Sequence, residues 1–309
     1  QFTGLPVGHD ELGGASIHAT RSGVVTAVVA DEDAAVELVS EILSYLPDSN
    51  SDLPPFRATA DSVDRPCAEL REIVPTNASG SYDVRHVIEA IADDQVITEL
   101  RGQWAGNLIT AFANVGGHAV GIVANQPQVL AGTLDIAASQ KGARFVGLCD
   151  AFNIPLLTFV DTPGFQPGKD LEWRGMIRHG AQLAFAYARA TVPRISITLR
   201  KSYGGAYIVM DSKTMGNDLA MAWPSAEIAV MGAKGAVEIL HRKASTEERV
   251  EIETDYEARL LNPYVAAERG SIDMVIDPAD TRRQIAEALD LLATKRERLP
   301  RRRHDNSPL

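Results

Sequence analysis

The 309-residue sequence is short of cysteine and of long apolar runs, and each shortage excludes a class of protein. Its two cysteines, Cys67 and Cys149, have no metal-binding or redox spacing and indicate a reducing compartment. No apolar run approaches the roughly 20 residues that a membrane span needs, and no signal-peptide pattern is present. We therefore expect a soluble, cytoplasmic protein.

Positive charge is also scarce, since 30 Lys and Arg stand against 41 Asp and Glu, for a formal net charge of −11. This balance argues against general nucleic-acid binding. One basic cluster stands near the C-terminal end and predicts a solvated tail or a segment that docks on a partner: Lys295, Arg296, Arg298, Arg301, Arg302 and Arg303.

The distribution of Pro, Ser, Asp and Asn divides the chain into three parts. Residues 47–81 are rich in these types and show little periodicity, which is typical of an inter-domain linker. Residues 1–46 are too few to bury a good core, so we expect them to be the end of a larger domain. Residues 82–309 form the main domain, and at 45% apolar the chain can bury a large core.

Strands alternating with helices predict an α/β fold. A Gly116-Gly117 pair between two apolar runs predicts a hairpin. We predict strands or extended segments at 23–29, 108–115, 119–124, 155–160, 194–199, 219–223, 228–231 and 272–276. We predict helices at 34–46, 69–73, 84–91, 134–152, 175–191, 206–215, 232–241, 245–268 and 281–298.

The chain is organised around the turn between the predicted strand at 194–199 and the helix that follows it. Gly204, Gly205 and Ala206 carry little or no side chain there, so a planar ligand could approach their backbone N–H groups. The first N–H groups of a helix are unpaired and lie at the positive end of its dipole. Such a turn can stabilise a developing oxyanion. The alternative is a tight turn whose glycines only permit packing.

Three further motifs accompany this turn: Asp161-Thr-Pro-Gly-Phe-Gln-Pro-Gly168, Ala222-Trp-Pro224 and Asn262-Pro-Tyr-Val-Ala-Ala-Glu-Arg-Gly270. With them the chain resembles the carboxyltransferase (β) subunit of biotin-dependent acyl-CoA carboxylases, of the actinobacterial propionyl-CoA and acetyl-CoA types. The resemblance covers nearly the whole chain. It implies a crotonase-like (ClpP/crotonase) ββα superhelix, with this chain as the C-terminal carboxyltransferase domain plus the end of the N-terminal one. Asp161 itself more simply holds the turn at 162–164 than acts as a base.

The resemblance implies transfer of CO2 from carboxybiotin to the α-carbon of a short acyl-CoA. Two negative oxygens develop, so two sets of backbone donors are needed, and Gly205 and Ala206 match the biotin-side set. Ile208 matches a position that lines the acyl pocket, where propionyl-selective relatives tend to carry Asp or Cys. Isoleucine favours use of both acetyl- and propionyl-CoA. Four positions match the biotin pocket: Gly164, Phe165, Gly204 and Tyr207.

The resemblance also implies partners. Biotin would be carried covalently by a partner subunit, the biotin carboxylase and biotin-carrier (α) subunit, and this chain would hold no metal. The expected assembly is a hexamer, with or without a small accessory subunit, and neither nucleic acid nor membrane is involved. Two alternatives stay open: a biotin-dependent decarboxylase or transcarboxylase subunit, and a non-catalytic structural half-subunit.

Overall fold

A mixed eight-stranded sheet forms the centre of the computed structural model, which describes residues 4, 6–75, 77, 80–297 and 307–308. The strands run in the order β1-β2-β3-β4-β5-β6-β8, and β7 pairs with the end of β5 beyond β6. Strands β1 to β3 are antiparallel, and β3 onwards is parallel. The strands are β1 (Ile97–Glu99), β2 (Leu108–Val115), β3 (His118–Asn125), β4 (Leu156–Thr162), β5 (Arg194–Tyr203), β6 (Leu219–Ala222), β7 (Glu227–Ala229) and β8 (Met274–Val275).

Helices cover both faces of this sheet, so the α/β prediction is confirmed. The helices are α1 (His9–Gly13), α2 (Ala15–Ile17), α3 (Glu32–Ser44), α4 (Leu70–Ile73), α5 (Val84–Ile91), α6 (Ile136–Ala151), α7 (Lys169–Trp173), α8 (Met176–Arg189), α9 (Gly204–Val209), α10 (Ala233–Leu240), α11 (Thr246–Tyr256), α12 (Pro263–Glu268) and α13 (Thr281–Leu292). None of the described helices is long and apolar enough to cross a membrane.

The alternation of side chains along β2 divides the core between the two faces. Leu108 and Phe112 face a cluster built by α6 and α8, whereas Ile109 and Ala113 face a cluster built by α5 and α13. Both helix layers therefore hold the same strands, and the loops at the carboxyl ends of β4 and β5 are supported from both sides.

The predicted hairpin at Gly116-Gly117 is confirmed. Val115 pairs with His118 across a two-residue turn, and both glycines have positive φ, +57° and +84°. The carboxylate of Asp93 accepts a hydrogen bond from the N–H of each glycine, at 2.9 and 2.8 Å. The turn is therefore anchored to the segment that precedes β1.

The segment predicted as a linker, residues 47–81, lies against the main domain. Cys67, Leu70 and Val74 are buried in the core cluster of α5 and α13, and Phe56 forms a bridge with His118. The helix predicted at 69–73 is present as α4. Packing of this kind makes the segment part of the domain's core, while the division of the chain at 46 and 81 stays a prediction.

Three sequence predictions of secondary structure were wrong. Residues 23–29 form no strand: the carbonyls of Gly23 and Thr26 accept hydrogen bonds from Arg101, and none of the described strands pairs with the segment. The helix predicted at 206–215 begins earlier and ends at Val209, before a separate turn at Lys213–Met215. The helix predicted at 281–298 ends at Leu292, and Arg298 lies outside the described residues. Residues 245–268 are mainly helical as predicted, and α12 begins at Pro263 because proline fits the first turn of a helix.

Candidate functional site

The central turn joins the end of β5 directly to α9. Gly204, the first residue of α9, has φ +59°, and a Cβ there would lie 3.1 Å from the carbonyl oxygen of Val230. Glycine is therefore required at this position by both backbone conformation and space. Tyr203 caps the helix in an extended conformation without a side-chain hydrogen bond to it.

Gly205 needs another explanation, since its φ is not positive and a Cβ would meet only the Phe165 ring, at 3.5 Å, an ordinary contact. Gly205 is exposed, while Ala206 is fully buried. Among the described residues, no acceptor bonds the N–H of Gly205 or Ala206, as the start of a helix leaves these donors free. Two backbone donors therefore stand at the positive end of α9 beside an open position.

Phe165 forms the opposite wall of this space. Its ring lies between Gly205 and Gly180 of α8, where a Cβ would come within 2.9 Å of the ring. The loop is fastened to Leu134, whose N–H donates to Gly164 O at 3.1 Å and whose carbonyl accepts from Gln166 N–H at 2.8 Å. Of the residues that the sequence predicts for one site, the structure places the Phe165 ring beside Gly205, and Gly164 precedes Phe165 in the same loop.

The remaining predicted positions follow from the shape of α9. Ile208 lies three residues after Gly205 on the same side of the helix, and its side chain is 44% exposed. Tyr207 turns away from that side, with its hydroxyl 3.4 Å from the carbonyl oxygen of Ser271. Burial raises the pKa of Tyr207. Tyr207 therefore contacts the segment that leads to β8.

Beneath the loop, Asp161 is buried in a network of donors and does not hold the turn at 162–164 as the sequence suggested. It accepts hydrogen bonds from Tyr82 Oη at 2.9 Å, Arg200 Nε at 3.2 Å and Lys201 N–H at 3.1 Å. Thr162 Oγ1 makes the local contacts with Gly164 instead. Burial raises the pKa of Asp161, against the opposing charge of Arg200. The carboxyl therefore joins β4 to β5.

Sequence reasoning missed the support that Arg200 and Tyr203 give to the turn. Arg200 Nη1 donates to the carbonyls of Asn77 and Gly80, at 3.0 and 2.8 Å, and so ties β5 to the segment before α5. The hydroxyl of Tyr203 donates to the carboxylate of Glu227 on β7. Burial and this carboxylate raise the pKa of Tyr203. Both residues belong to the turn motif at 200–207, so their position in that motif was the sequence feature that could have indicated this role.

Within the described part of the chain, no group of three or more His, Cys, Asp or Glu side chains is arranged to hold a metal ion. The site consists instead of backbone donors, an aromatic wall and an exposed aliphatic side chain. Backbone N–H groups fixed at a helix start can bind a carbonyl oxygen and stabilise negative charge that develops on it.

Comparisons with known proteins show the family to which the chain belongs. Residues 1–307 match the family model described as the carboxyl transferase domain. The chain is 48% identical over 325 residues to the propionyl-CoA carboxylase beta chain of Saccharopolyspora erythraea, covering 99% of this chain and 60% of that protein. It is 49% identical over 315 residues to the methylmalonyl-CoA carboxyltransferase 12S subunit of Propionibacterium freudenreichii subsp. shermanii, covering 99% and 59%.

A solved structure is equally similar. The crystal structure of transcarboxylase 12S, described as a hexamer assembly with methylmalonyl-CoA and methylmalonic acid bound, superposes with a TM-score of 0.96 at 50% identity. The match covers 99% of this chain and 60% of that one. The chain thus spans about three fifths of the length of the relatives that it matches.

Proposed function

Because the chain belongs to the carboxyl transferase domain family, with its crotonase-like α/β fold, we propose that it carries the biotin-side half of a biotin-dependent acyl-CoA carboxylase. In this proposal it is the carboxyltransferase component. Carbon dioxide would pass from carboxybiotin to the α-carbon of a short acyl-CoA of the acetyl and propionyl range, and the α-proton of the acyl-CoA would pass to the biotin ring, which loses the carboxyl group. Carboxybiotin, carried covalently by a partner subunit, supplies the carboxyl group when bound.

One observation carries the proposal: Gly205 is a glycine where the chain itself would accept a larger residue. Neither φ nor packing requires it. An open position beside free N–H groups suits a flat ring that carries a carbonyl oxygen. The ureido ring of biotin has this shape, so the residues present fit the group.

The roles of the chain's own residues follow from their positions. The N–H groups of Gly205 and Ala206 bind the ring oxygen and favour negative charge on it, without a side-chain acid or base. Phe165 lies across from Gly205 and would form one wall for the ring, Gly164 precedes Phe165 in the same loop, and Gly204 lets the turn pass close to the carbonyl of Val230. Tyr207, which turns away from the side of Gly205, would support the pocket by holding α9 against the segment at Ser271.

The partners belong to the same proposal. We expect a biotin carboxylase and biotin-carrier (α) subunit, a homo-oligomer that is a hexamer, and a cytoplasmic location, with or without a small accessory subunit. The hexamer is supported by the 12S transcarboxylase structure, which is described as a hexamer assembly.

The test is carboxylation by the native protein with a biotinylated carrier subunit, ATP and bicarbonate, offered acetyl-, propionyl-, butyryl- and long-chain acyl-CoA in parallel. Gly205→Val should lower turnover by about 100-fold or more, the effect of losing an oxyanion donor, since its branches fill the open position. Gly205→Ala should lose less, because one methyl only touches the Phe165 ring. Gly235→Val is the control, since a Cβ in this α10 position meets only Met231 Sδ, at 3.9 Å.

Equal turnover of Gly205→Val and Gly235→Val would show that the turn at Gly205 and Ala206 takes no part in the reaction. A second candidate rests on the 12S transcarboxylase relatives. Carboxyl transfer out of methylmalonyl-CoA in the absence of ATP, without net carboxylation in its presence, would favour a decarboxylase or transcarboxylase subunit. Activity in neither direction, with confirmed carboxylation of the carrier, would favour a structural half-subunit.

A further inference from the structure

A second concave surface lies away from the turn, between α6, α8 and the loop that joins β1 to β2. It is a groove of about 570 Å³, and none of the residues Gly164, Phe165 or 204–208 lines it. A volume of this size is typical of small-molecule sites. The residues that matter for its chemistry are Arg101, Trp104, Lys141, Arg144, Gly147 and Arg189.

The groove concentrates positive charge in a chain whose formal net charge is −11. Asp150 is the one carboxylate among its described lining residues, and it already accepts hydrogen bonds from the Thr191 N–H and hydroxyl, at 2.7 and 3.2 Å. Within the described ranges, Arg101 and Arg144 have no carboxylate at ion-pair distance. Burial and the charge of Arg144 lower the pKa of Arg101. An anion between these guanidinium groups would relieve their repulsion.

Lys141 adds a buried charge beneath the groove. Its side chain is on α6, and the residue is 2% exposed. The ammonium donates to the carbonyls of Arg101, Trp104 and Ala105, at 3.0, 3.0 and 3.4 Å. Burial lowers the pKa of Lys141 to about 8, so the group is still mostly charged at neutral pH. This contact fixes the loop that carries Arg101 and Trp104 onto α6, so the groove is built before any ligand arrives.

Gly147 keeps the floor of the groove open. It lies inside α6, is exposed, has no positive φ, and a Cβ there would meet nothing within 4 Å. Glycine in a helix interior is unfavourable relative to alanine, and no packing reason calls for it here. Close approach of another molecule to the helix backbone would account for it.

We propose that this groove binds an organic phosphate, held by Arg101 and Arg144 and packed against the indole of Trp104. Guanidinium groups match the geometry of phosphate oxygens and can each donate two hydrogen bonds to them. The described end of the chain marks one rim, where Gln182 Nε2 donates to the carbonyl of Pro308 at 3.2 Å. The proposal concerns a site separate from the turn at Gly205 and does not depend on the proposed carboxyl transfer.

The experiment titrates the native protein with pyrophosphate and, separately, with ADP, at constant ionic strength set with chloride. Tryptophan fluorescence follows binding, and Trp104→Phe identifies the reporter among the three tryptophans of the chain. We expect saturable binding that Arg144→Gln weakens by about tenfold or more, the effect of losing a charged hydrogen bond. Arg144 is exposed and unpaired within the described residues, so its substitution should leave folding intact.

Arg269→Gln is the matched control, because it removes the same charge from an exposed position that does not line the groove. Its affinity should equal that of the unaltered protein. Tighter binding of ADP than of pyrophosphate would identify a nucleotide as the source of the phosphate, and equal binding would identify the phosphate groups alone. Absence of saturable binding, or the same weakening in Arg269→Gln and Arg144→Gln, would overturn the proposal.

Discussion

Arg282→Met in α13 should cost this protein an unusually large part of its stability. The guanidinium is fully buried and makes four hydrogen bonds to segments far away in the sequence. Its partners are the carbonyls of Ser62, Ile91 and Asp61, at 3.1, 2.6 and 3.0 Å, and the carboxylate of Asp93, at 2.7 Å. One side chain thus joins α13, the end of α5 and the segment at 47–81.

Through the carboxylate of Asp93, the contact of Arg282 also affects the β2–β3 hairpin. Asp93 is 6% exposed and its carboxylate also binds the N–H groups of Gly116 and Gly117, so Arg282 stabilises the β2–β3 hairpin through it. Methionine can fill the volume of the arginine stem but donates no hydrogen bond. The substitution therefore leaves the buried carboxylate of Asp93 without its cation and the carbonyls of Asp61 and Ile91 without this donor, while the carbonyl of Ser62 keeps the N–H of Arg65.

Breaking a buried ion pair by removing one partner costs roughly 3–5 kcal/mol. Each carbonyl left unpaired adds up to about 1–3 kcal/mol, less where water enters, so we expect a total loss of at least about 4 kcal/mol. Domains of this kind are stable by about 5–15 kcal/mol. The loss is therefore large enough to appear as a clear shift of the urea unfolding midpoint.

The neighbouring Arg283 provides the control. Its side chain is 37% exposed and pairs with Asp280 and Glu287 on the helix surface, at 3.2 and 3.1 Å. Exposed pairs contribute about 0–1 kcal/mol each, so Arg283→Met should change stability little. Urea unfolding followed by circular dichroism compares the two variants. A loss in Arg282→Met no greater than that in Arg283→Met would refute the account of the buried cluster.

Two further predictions concern the acyl pocket and the response to acid. Ile208→Asp should lower the use of acetyl-CoA relative to propionyl-CoA, because the carboxylate would stand in the pocket that Ile208 is proposed to line. Ile177→Asp is the control, since this residue of α8 is 80% exposed. An unchanged ratio of acetyl-CoA to propionyl-CoA use in Ile208→Asp would contradict the assignment. The hydrogen bond from Arg65 holds the pKa of Asp61 below its usual range, so the stabilising contribution is present above about pH 4 and is lost as the pH falls through the folded-state pKa. Asp61→Asn should flatten the fall of unfolding free energy as the pH drops below about 5, and parallel curves for the two proteins would disprove this.

The regular part of the fold was predictable because its signals are local. Residues 108–115 alternate between the two faces of a buried strand, and the glycine pair at 116–117 has few conformations other than a turn. Helix α6 begins after Asp135, whose side chain accepts from Ala138 N–H, a cap that the sequence displays directly. The turn between β5 and α9 could be predicted for the same reason, because the residues of its motif are consecutive in the sequence.

The contacts that hold the segment 47–81 in place could not be predicted from the sequence. Arg282 and Asp61 are 221 positions apart, and no spacing connects them. Residues 23–29 show the opposite failure, since a β-branched run predicted a strand but none of the described strands pairs with it. Propensity describes what a segment can form, whereas pairing depends on what lies beside it.

The site illustrates how one residue type can serve three physical purposes. Gly204 is required by its positive φ, Gly180 by the Phe165 ring that would collide with a Cβ, and Gly205 by neither. Alanine should therefore strain the turn at 204 and displace the ring at 180, yet fit at 205 without local cost. A glycine that the protein does not need for its own packing points to something outside the chain. For this reason Gly205, and not the more constrained glycines beside it, carries the functional argument.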